Sequence, residues 1–312
     1  MVNAVRRYGR VFQTGSQQRS AANFRIGCEM VRSGRIGKLH TVHVNVGGPA
    51  EPCYLPAQPV RKGVDWDLWL GPAPWRPFND VLCPPVEFPG WPQWRRFADY
   101  AGGGLSDMGA HHFDIAHWGM GTEYTGPVEV EARAEFPKSG LWDVHGPYDI
   151  TARYANGVTV HVSDKLPNGV RFVGENGRWI FVSRGATRAT KSDPTEGQPI
   201  LKALDASDPK ILEYELKESD IRLHHSPNND HHLDWLTSIR TRKDPACPAE
   251  VGHRSCSACL ISHTAMKLGR KVTWDPEKER FGDDEANGTL SRPQREEYGT
   301  DAVLRKRGVS SG

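Results

Sequence analysis

Gly102-Gly-Gly-Leu-Ser-Asp-Met-Gly-Ala-His-His-Phe-Asp-Ile-Ala-His-Trp118 reads as a glycine turn opening into a helix. Three successive glycines let the backbone turn tightly and approach a ligand closely. Ser106 or Asp107 supplies an N-cap, which predicts a helix starting at Leu105 or Ser106. At about 100° per residue, Asp107, His111, Asp114 and Trp118 fall within roughly 60° of one another, so carboxylate, imidazole, carboxylate and indole share one stripe. A carboxylate four residues before a histidine orients the ring and stabilises its protonated form. A group titrating near ~6.5 then becomes a usable general acid or base. The competing reading is a capped helix whose polar residues only close its first turn.

The surrounding composition is that of an ordinary water-soluble chain. Of 312 residues, 37% are hydrophobic and 25% charged, enough for a sizeable core in one large domain or two. Forty basic residues against 38 acidic ones, net +2, lie scattered together and leave no electrostatic footprint for nucleic acid or a lipid surface. Arginines interrupt the first residues where a signal peptide would need an apolar run, and no later segment approaches the ~20 apolar residues of a membrane span. Six irregularly spaced cysteines make a poor disulfide framework, which points to a reducing compartment and a cytoplasmic location. Cys256-x-x-Cys259 lacks a second pair and lies in an apparent helix, so both cysteines read as structural.

Along the chain, Met1 to Tyr8 reads as a helix end closed by Gly9, and Arg10 to Gly15 as a short buried strand leading into Ser16-Gln-Gln-Arg19. Phe24 to Ser33 has helical spacing and Gly34 stops it. Lys38 to Val46 alternates as a half-buried strand. Gly47 to Pro92 holds eleven of the 23 prolines and is expected to be a long ordered loop without helix or sheet. Trp66, Trp69, Trp75, Trp91 and Trp94 lie in or beside it, either as a clasp over the core or as flat faces for sugar rings. Pro127 to Phe136, Tyr148 to Asn156, Val158 to Asp164, Val170 to Val173 and Arg178 to Val182 read as a meander of antiparallel strands, with Asn156-Gly157 and Asn176-Gly177 as turns. Lys191 to Asp208 is expected on the surface. Ser226 to Ile239 and Glu250 to Leu268 read as helices, and the charged residues toward the C-terminus as a solvated tail.

Six pieces occur in one order: Val11-Phe-Gln-Thr-Gly-Ser-Gln-Gln-Arg19, Gly34-Arg-Ile-Gly-Lys38, Trp66-Asp-Leu-Trp-Leu-Gly-Pro72, Trp94-Arg95, Gly102 to His111 with Asp114, and Trp274-Asp-Pro-Glu-Lys-Glu-Arg-Phe281. In that order the chain resembles the Gfo/Idh/MocA oxidoreductases over nearly its whole length. The resemblance implies an α+β fold, a large mostly antiparallel sheet domain with flanking helices, preceded by a remnant of a Rossmann-type domain. It places the remnant at residues 1–36, the substrate and oligomerisation domain at 37–290 and a charged tail at 291–312. Gly-x-Gly-x-x-Gly and the family's Glu-Lys-Pro are not found, and Gly102-Gly-Gly follows no buried strand, so the chain is read as N-terminally truncated relative to the family.

The resemblance further implies that Asp107 and His111 face the nicotinamide of NAD or NADP, with His111 as acid/base and Asp107 holding its ring. Trp94 and Arg95 lie against the cofactor. Arg19, Asp114 and His232 are expected near the substrate, with a strand cap for Arg19 and a surface or core position for His232 as the plainer alternatives. Gln18, Lys38 and Trp66 are read as structural. The implied activity is hydride transfer between NAD(P) and a sugar, glycoside or cyclitol, with no nucleic-acid or membrane partner and with homo-oligomers forming through the sheet face. Two alternatives stay open: redox-assisted glycoside cleavage, and a non-catalytic sugar-binding or assembly module. A metal hydrolase built from Asp107, His111, His112 and the pairs His224-His225 and His231-His232 is disfavoured, because adjacent histidines point to different helix faces; no metal is assigned.

Overall fold

The structure, a computed structural model, describes residues 1–45, 54–88, 93–138, 143–185, 201–213 and 217–308. Trp91, residues 191–200 of the expected surface stretch, and the terminal Ser310-Ser311-Gly312 lie outside them. The first helix, α1 (Val2–Arg7), ends as expected beside Gly9, whose φ is +55°. The strand expected over Arg10 to Gly15 does not form; its ladder contact is a single bridge from Gln13 to Pro248. A strand needs neighbours along its length to pair its N–H and C=O groups, and one bridge cannot supply them. The following helix, α2 (Ala22–Arg32), buries Phe24, Cys28, Met30 and Val31 in the same core as the sheet.

The first strand is β1 (Thr41–Val44). The proline-rich segment, expected without helix, contains α3 (Trp66–Leu70), where Asp65 caps the turn by accepting from the Leu68 N–H at 2.9 Å. The central helix α4 (Met108–Met120) is followed by β2 (Pro127–Ala134), β3 (Tyr148–Tyr154), β4 (Thr159–Ser163), β5 (Val170–Val173) and β6 (Trp179–Val182), close to the expected strands. Asn176 and Gly177 both take positive φ, the geometry that a tight hairpin turn requires. A short strand β7 (Leu204–Ala206) pairs with β6 where only a surface excursion was expected. The chain continues through α5 (His231–Thr241), α6 (Ala249–Leu268), β8 (Val272–Asp275), β9 (Arg280–Phe281), α7 (Asp284–Asn287) and α8 (Thr300–Lys306). No helix among the described residues is long and apolar enough to cross a membrane.

The described strands form one sheet in the order β7-β6-β5-β1-β4-β3-β2-β8-β9. All pairings are antiparallel except β1 with β4, where His43 sits opposite His161. A simple meander would set β4 against β5; instead β1 is inserted between them. Both of its edges are used, since Val42 pairs with Val160 on one side and with Phe172 on the other. Alternation decides which face is covered. Tyr148, Ile150, Ala152 and Tyr154 of β3 point into the core, while Asp149 and Arg153 point out.

Helix α4 packs between α2, α6 and the sheet, so nine of its thirteen residues are buried. A helix buried on nearly all sides has almost no solvent face, so its polar groups depend on partners within the protein. Its close approach to the sheet depends on Gly119, where a Cβ would lie 2.3 Å from Phe172 Cε1. Gly119→Ala is therefore expected to lower stability by about 1–3 kcal/mol, read as a lower denaturant midpoint with an unchanged slope.

The segment after 291, expected as a solvated tail, docks in part on α3. Arg295 donates to Gly71 O at 2.9 Å, to Asp67 O at 2.8 Å and to Asp67 Oδ1 at 2.6 Å, and Tyr298 donates its hydroxyl to the same carboxylate. Its charges are thus spent on specific partners, not only on solvent. The tryptophan segment forms a small second core, in which Trp66 stacks on Trp69 with ring centroids 4.6 Å apart and packs edge-on against Phe78.

Candidate functional site

The glycine turn positions the site. Gly103 takes φ +70°, residues Gly103–Leu105 make one 3₁₀ turn, and α4 begins only at Met108. The helix starts later than expected because Asp107 adopts φ −92° and ψ −92°, outside the helical range. That backbone turns its carboxylate away from the helix axis. It makes no cap bond to α4 and instead meets Arg95 at 2.9 Å. The pairing expected between Asp107 and the His111 ring is not made: a residue ahead of the first helical turn no longer stands one turn above position 111. Arg95 meets Asp107 directly, and the charge of Arg184 acts on both Asp107 and His111, which relates these groups to one corner. Burial raises the Asp107 pKa above the usual carboxylate value, and the guanidiniums of Arg95 and Arg184 oppose that rise.

His111 is partly buried, and no side-chain hydrogen bond holds its ring among the described residues. Burial pushes its pKa down to about 4, the charge of Arg184 and that of His231 act the same way, and Asp114 opposes them. Near neutral pH the imidazole is therefore uncharged with one ring nitrogen able to accept a hydrogen bond, although burial makes it a weaker base than an exposed histidine.

Asp114 and Arg19 are placed elsewhere than expected. Asp114 is fully buried and Arg19 is 2% exposed, and they form a two-pronged pair: Nε to Oδ2 at 2.7 Å and Nη2 to Oδ1 at 2.9 Å. Ser255 Oγ also donates to Oδ1 at 2.9 Å, Arg19 Nη1 donates to Glu123 Oε1 at 3.0 Å, and the guanidinium lies over the Trp118 ring. Burial opposes the Arg19 charge, and the adjacent Asp114 carboxylate more than offsets it, leaving the pKa above the ordinary arginine value. With both partners closed inside the protein, this pair joins α4 to the 3₁₀ turn Gln17–Ser20 and to α6.

His232 is also displaced. The helix expected over Ser226 to Ile239 is broken by a 3₁₀ turn at Pro227–Asn229, and Asp230 then caps α5 by accepting from His232 N at 2.8 Å and Leu233 N at 3.0 Å. The His232 side chain is left 95% exposed. Its neighbour His231 turns inward toward His111: Nε2–H donates to Thr14 O at 2.9 Å, and Nδ1 meets Ser20 Oγ at 2.8 Å. Sequence reasoning named His231 only within a disfavoured metal set and chose His232 for the site, although Asp230 as an N-cap was the signal that could have separated the two. Arg184 was missed with no signal at all, because its role depends on where β6 ends.

Trp94 and Arg95 lie in the 3₁₀ turn Gln93–Arg96. Trp94, with Trp69, lines two cavities of about 300 and 500 Å³, the larger also bounded by Tyr100, Asp99 and Arg292. Neither of the two is lined by His111. The tryptophans divide between core and cavity. Trp66 is core, whereas Trp69 and Trp94 are half-buried with ring surface open to the cavities.

Comparison with known proteins agrees with this architecture. A family model described as "Oxidoreductase family, C-terminal alpha/beta domain" matches residues 50–183 and 204–300. A search of curated proteins finds no match. Among solved structures, an aldose-aldose oxidoreductase from Caulobacter crescentus complexed with glycerol is 18% identical, with a TM-score of 0.55, over 87% of this chain and 66% of its own. The WlbA dehydrogenase from Bordetella pertussis, in complex with NADH and UDP-GlcNAcA, is 14% identical with a TM-score of 0.53, over 88% of this chain and 66% of its own. This chain thus spans just under two thirds of the length of these structures, and at such identities the likeness speaks for the fold. The family match covers well over half of the chain, including the glycine turn, α4 and most of the sheet: the chain belongs to the Gfo/Idh/MocA oxidoreductase family through its C-terminal α/β domain.

Proposed function

We propose that this chain forms the substrate side of an NAD(P)-dependent oxidoreductase site that acts on a sugar, glycoside or cyclitol by hydride transfer. The observation that carries this reading is His111, a partly buried imidazole in the first turn of α4, with no hydrogen bond to its ring among the described residues. Its role is to accept the proton of the substrate hydroxyl, and the Asp107–Arg95 pair fixes the turn beside it. NAD(P), when bound, supplies the hydride chemistry. The fit of the described residues to that cofactor is partial: Trp94 and Arg95 border the corner, but the described residues hold no strand, glycine turn and helix to cradle a pyrophosphate.

The sheet face opposite the helices, which exposes Glu131, Arg133, Asp149 and Arg153, is proposed as the contact between copies. Such a face is polar, and opposite charges on two copies would set its register.

Absorbance of reduced nicotinamide tests the reading, with the protein given NAD(P) and a panel of sugars, glycosides and cyclitols. Where the chain binds NAD(P), turnover is expected, and it falls at least ~100-fold in His111→Asn. Unchanged turnover in that variant removes His111 from the chemistry. Cleavage of a glycoside with no net reduced cofactor identifies the redox-neutral elimination, and sugar binding without cofactor binding identifies a binding module.

A further inference from the structure

Arg184, just after β6, is exposed, yet its guanidinium is anchored. With the Gln18 amide turned as its neighbours require, Arg184 Nε donates to the Gln18 amide oxygen at 2.9 Å, and the Gln18 amide nitrogen donates to the carbonyl of His111 at 3.1 Å. Gln18 is itself 3% exposed, so a buried amide ties this cation to the backbone of the residue assigned the proton transfer. Arg184 forms no ion pair with any described residue. The carboxylate whose charge it feels is Asp107, which is already bound to Arg95 at 2.9 Å. Because the Asp107 side chain is turned toward Arg95, the first turn of α4 has no side-chain cap, and the charge of Arg184 acts on Asp107 at the head of that turn and on His111 within it. An anchored guanidinium beside an uncapped helix N-terminus has the form of an anion site: both favour negative charge, and the guanidinium can bind carboxylate or phosphate with two parallel hydrogen bonds.

We propose that Arg184 and the first turn of α4 bind a carboxylate or phosphate group carried by the substrate, so that the site takes an acidic sugar in preference to a neutral one. This rests on His111 as the group that handles the substrate proton. It also links recognition to chemistry. Arg184 helps push the His111 pKa down, so an anion on Arg184 relieves that repulsion and makes the imidazole a stronger base when an acidic sugar is in place.

The test follows the His111 imidazole resonances by NMR while D-glucuronate, D-glucose 6-phosphate, D-glucose, inorganic phosphate and NAD⁺ are titrated separately into the native chain and Arg184→Gln. Both or either of the acidic sugars are expected to bind at least ~10-fold more tightly than glucose, a margin lost in Arg184→Gln and partly kept in Arg184→Lys. Which of the two shows the margin identifies the anionic group. Inorganic phosphate is expected to move the resonances in the native chain and not in Arg184→Gln. Equal affinity for glucose and both acidic sugars, or a margin that survives Arg184→Gln, overturns the proposal, as does an Arg184-dependent response to NAD⁺ with no margin among the sugars. If no sugar binds while phosphate gives the Arg184-dependent shift, the anion site stands and the sugar reading falls. If phosphate also leaves the resonances unmoved, the anion site falls with it.

Discussion

Asp114→Ala is expected to destabilise the protein by about 3–5 kcal/mol, because it strands the Arg19 guanidinium at 2% exposure without its two-pronged partner. Ser255 Oγ loses its acceptor in the same step, adding a second buried group without its partner. Replacing both members, Arg19→Met with Asp114→Leu, is expected to recover most of that loss, since apolar residues of similar size leave no charge to solvate. Urea denaturation of the three variants checks this. If Asp114→Ala stays within about 1 kcal/mol of the native chain and loses activity alone, Asp114 belongs to the substrate site after all.

Acidification is expected to weaken the fold well before its carboxylates titrate. His111, His117 and His263 are each pushed down to about 4, in every case chiefly by burial. In the unfolded chain the same imidazoles take up a proton near ~6.5. Between those two values the unfolded state binds more protons than the native state, so stability falls as the pH drops from ~6.5 toward ~4. At about pH 5 each histidine removes on the order of 1–2 kcal/mol, and the three together remove a large share of a typical domain's roughly 5–15 kcal/mol. His145, buried and also shifted downward, acts in the same direction. Urea midpoints measured from about pH 7 to about pH 5 should fall steadily, and His263→Gln should flatten the slope by removing one of the groups. A midpoint that stays constant over that range contradicts the burial of these rings as uncharged groups.

Much of the local structure was legible in the sequence. Glycines at positions 9, 34 and 177 take the positive φ expected of helix stops and turns, and the alternating stretches over 127–182 became strands within a few residues of their expected ends. These signals are local: a period of two or 3.6 residues, or a side chain that only one backbone geometry accommodates. The expected strand at Arg10 to Gly15 failed for the complementary reason. Its apolar residues met the pattern, but a strand exists only with partners to hydrogen-bond, and pattern carries no record of them.

The candidate site divides in the same way. Composition and spacing within the glycine-led stretch were enough to single out Asp107 and His111, and the ordered motifs were enough to name the family. Which partner each polar group would take was decided only in three dimensions. Asp114 found Arg19 across 95 residues, Asp107 turned to Arg95, and β1 slipped between two strands that are consecutive in the chain. Burying α4 on nearly all sides obliges every charge on it to be matched, and the matching groups come from whichever distant segments pack there. A helical stripe records which residues share a face; it holds no information about what that face will meet.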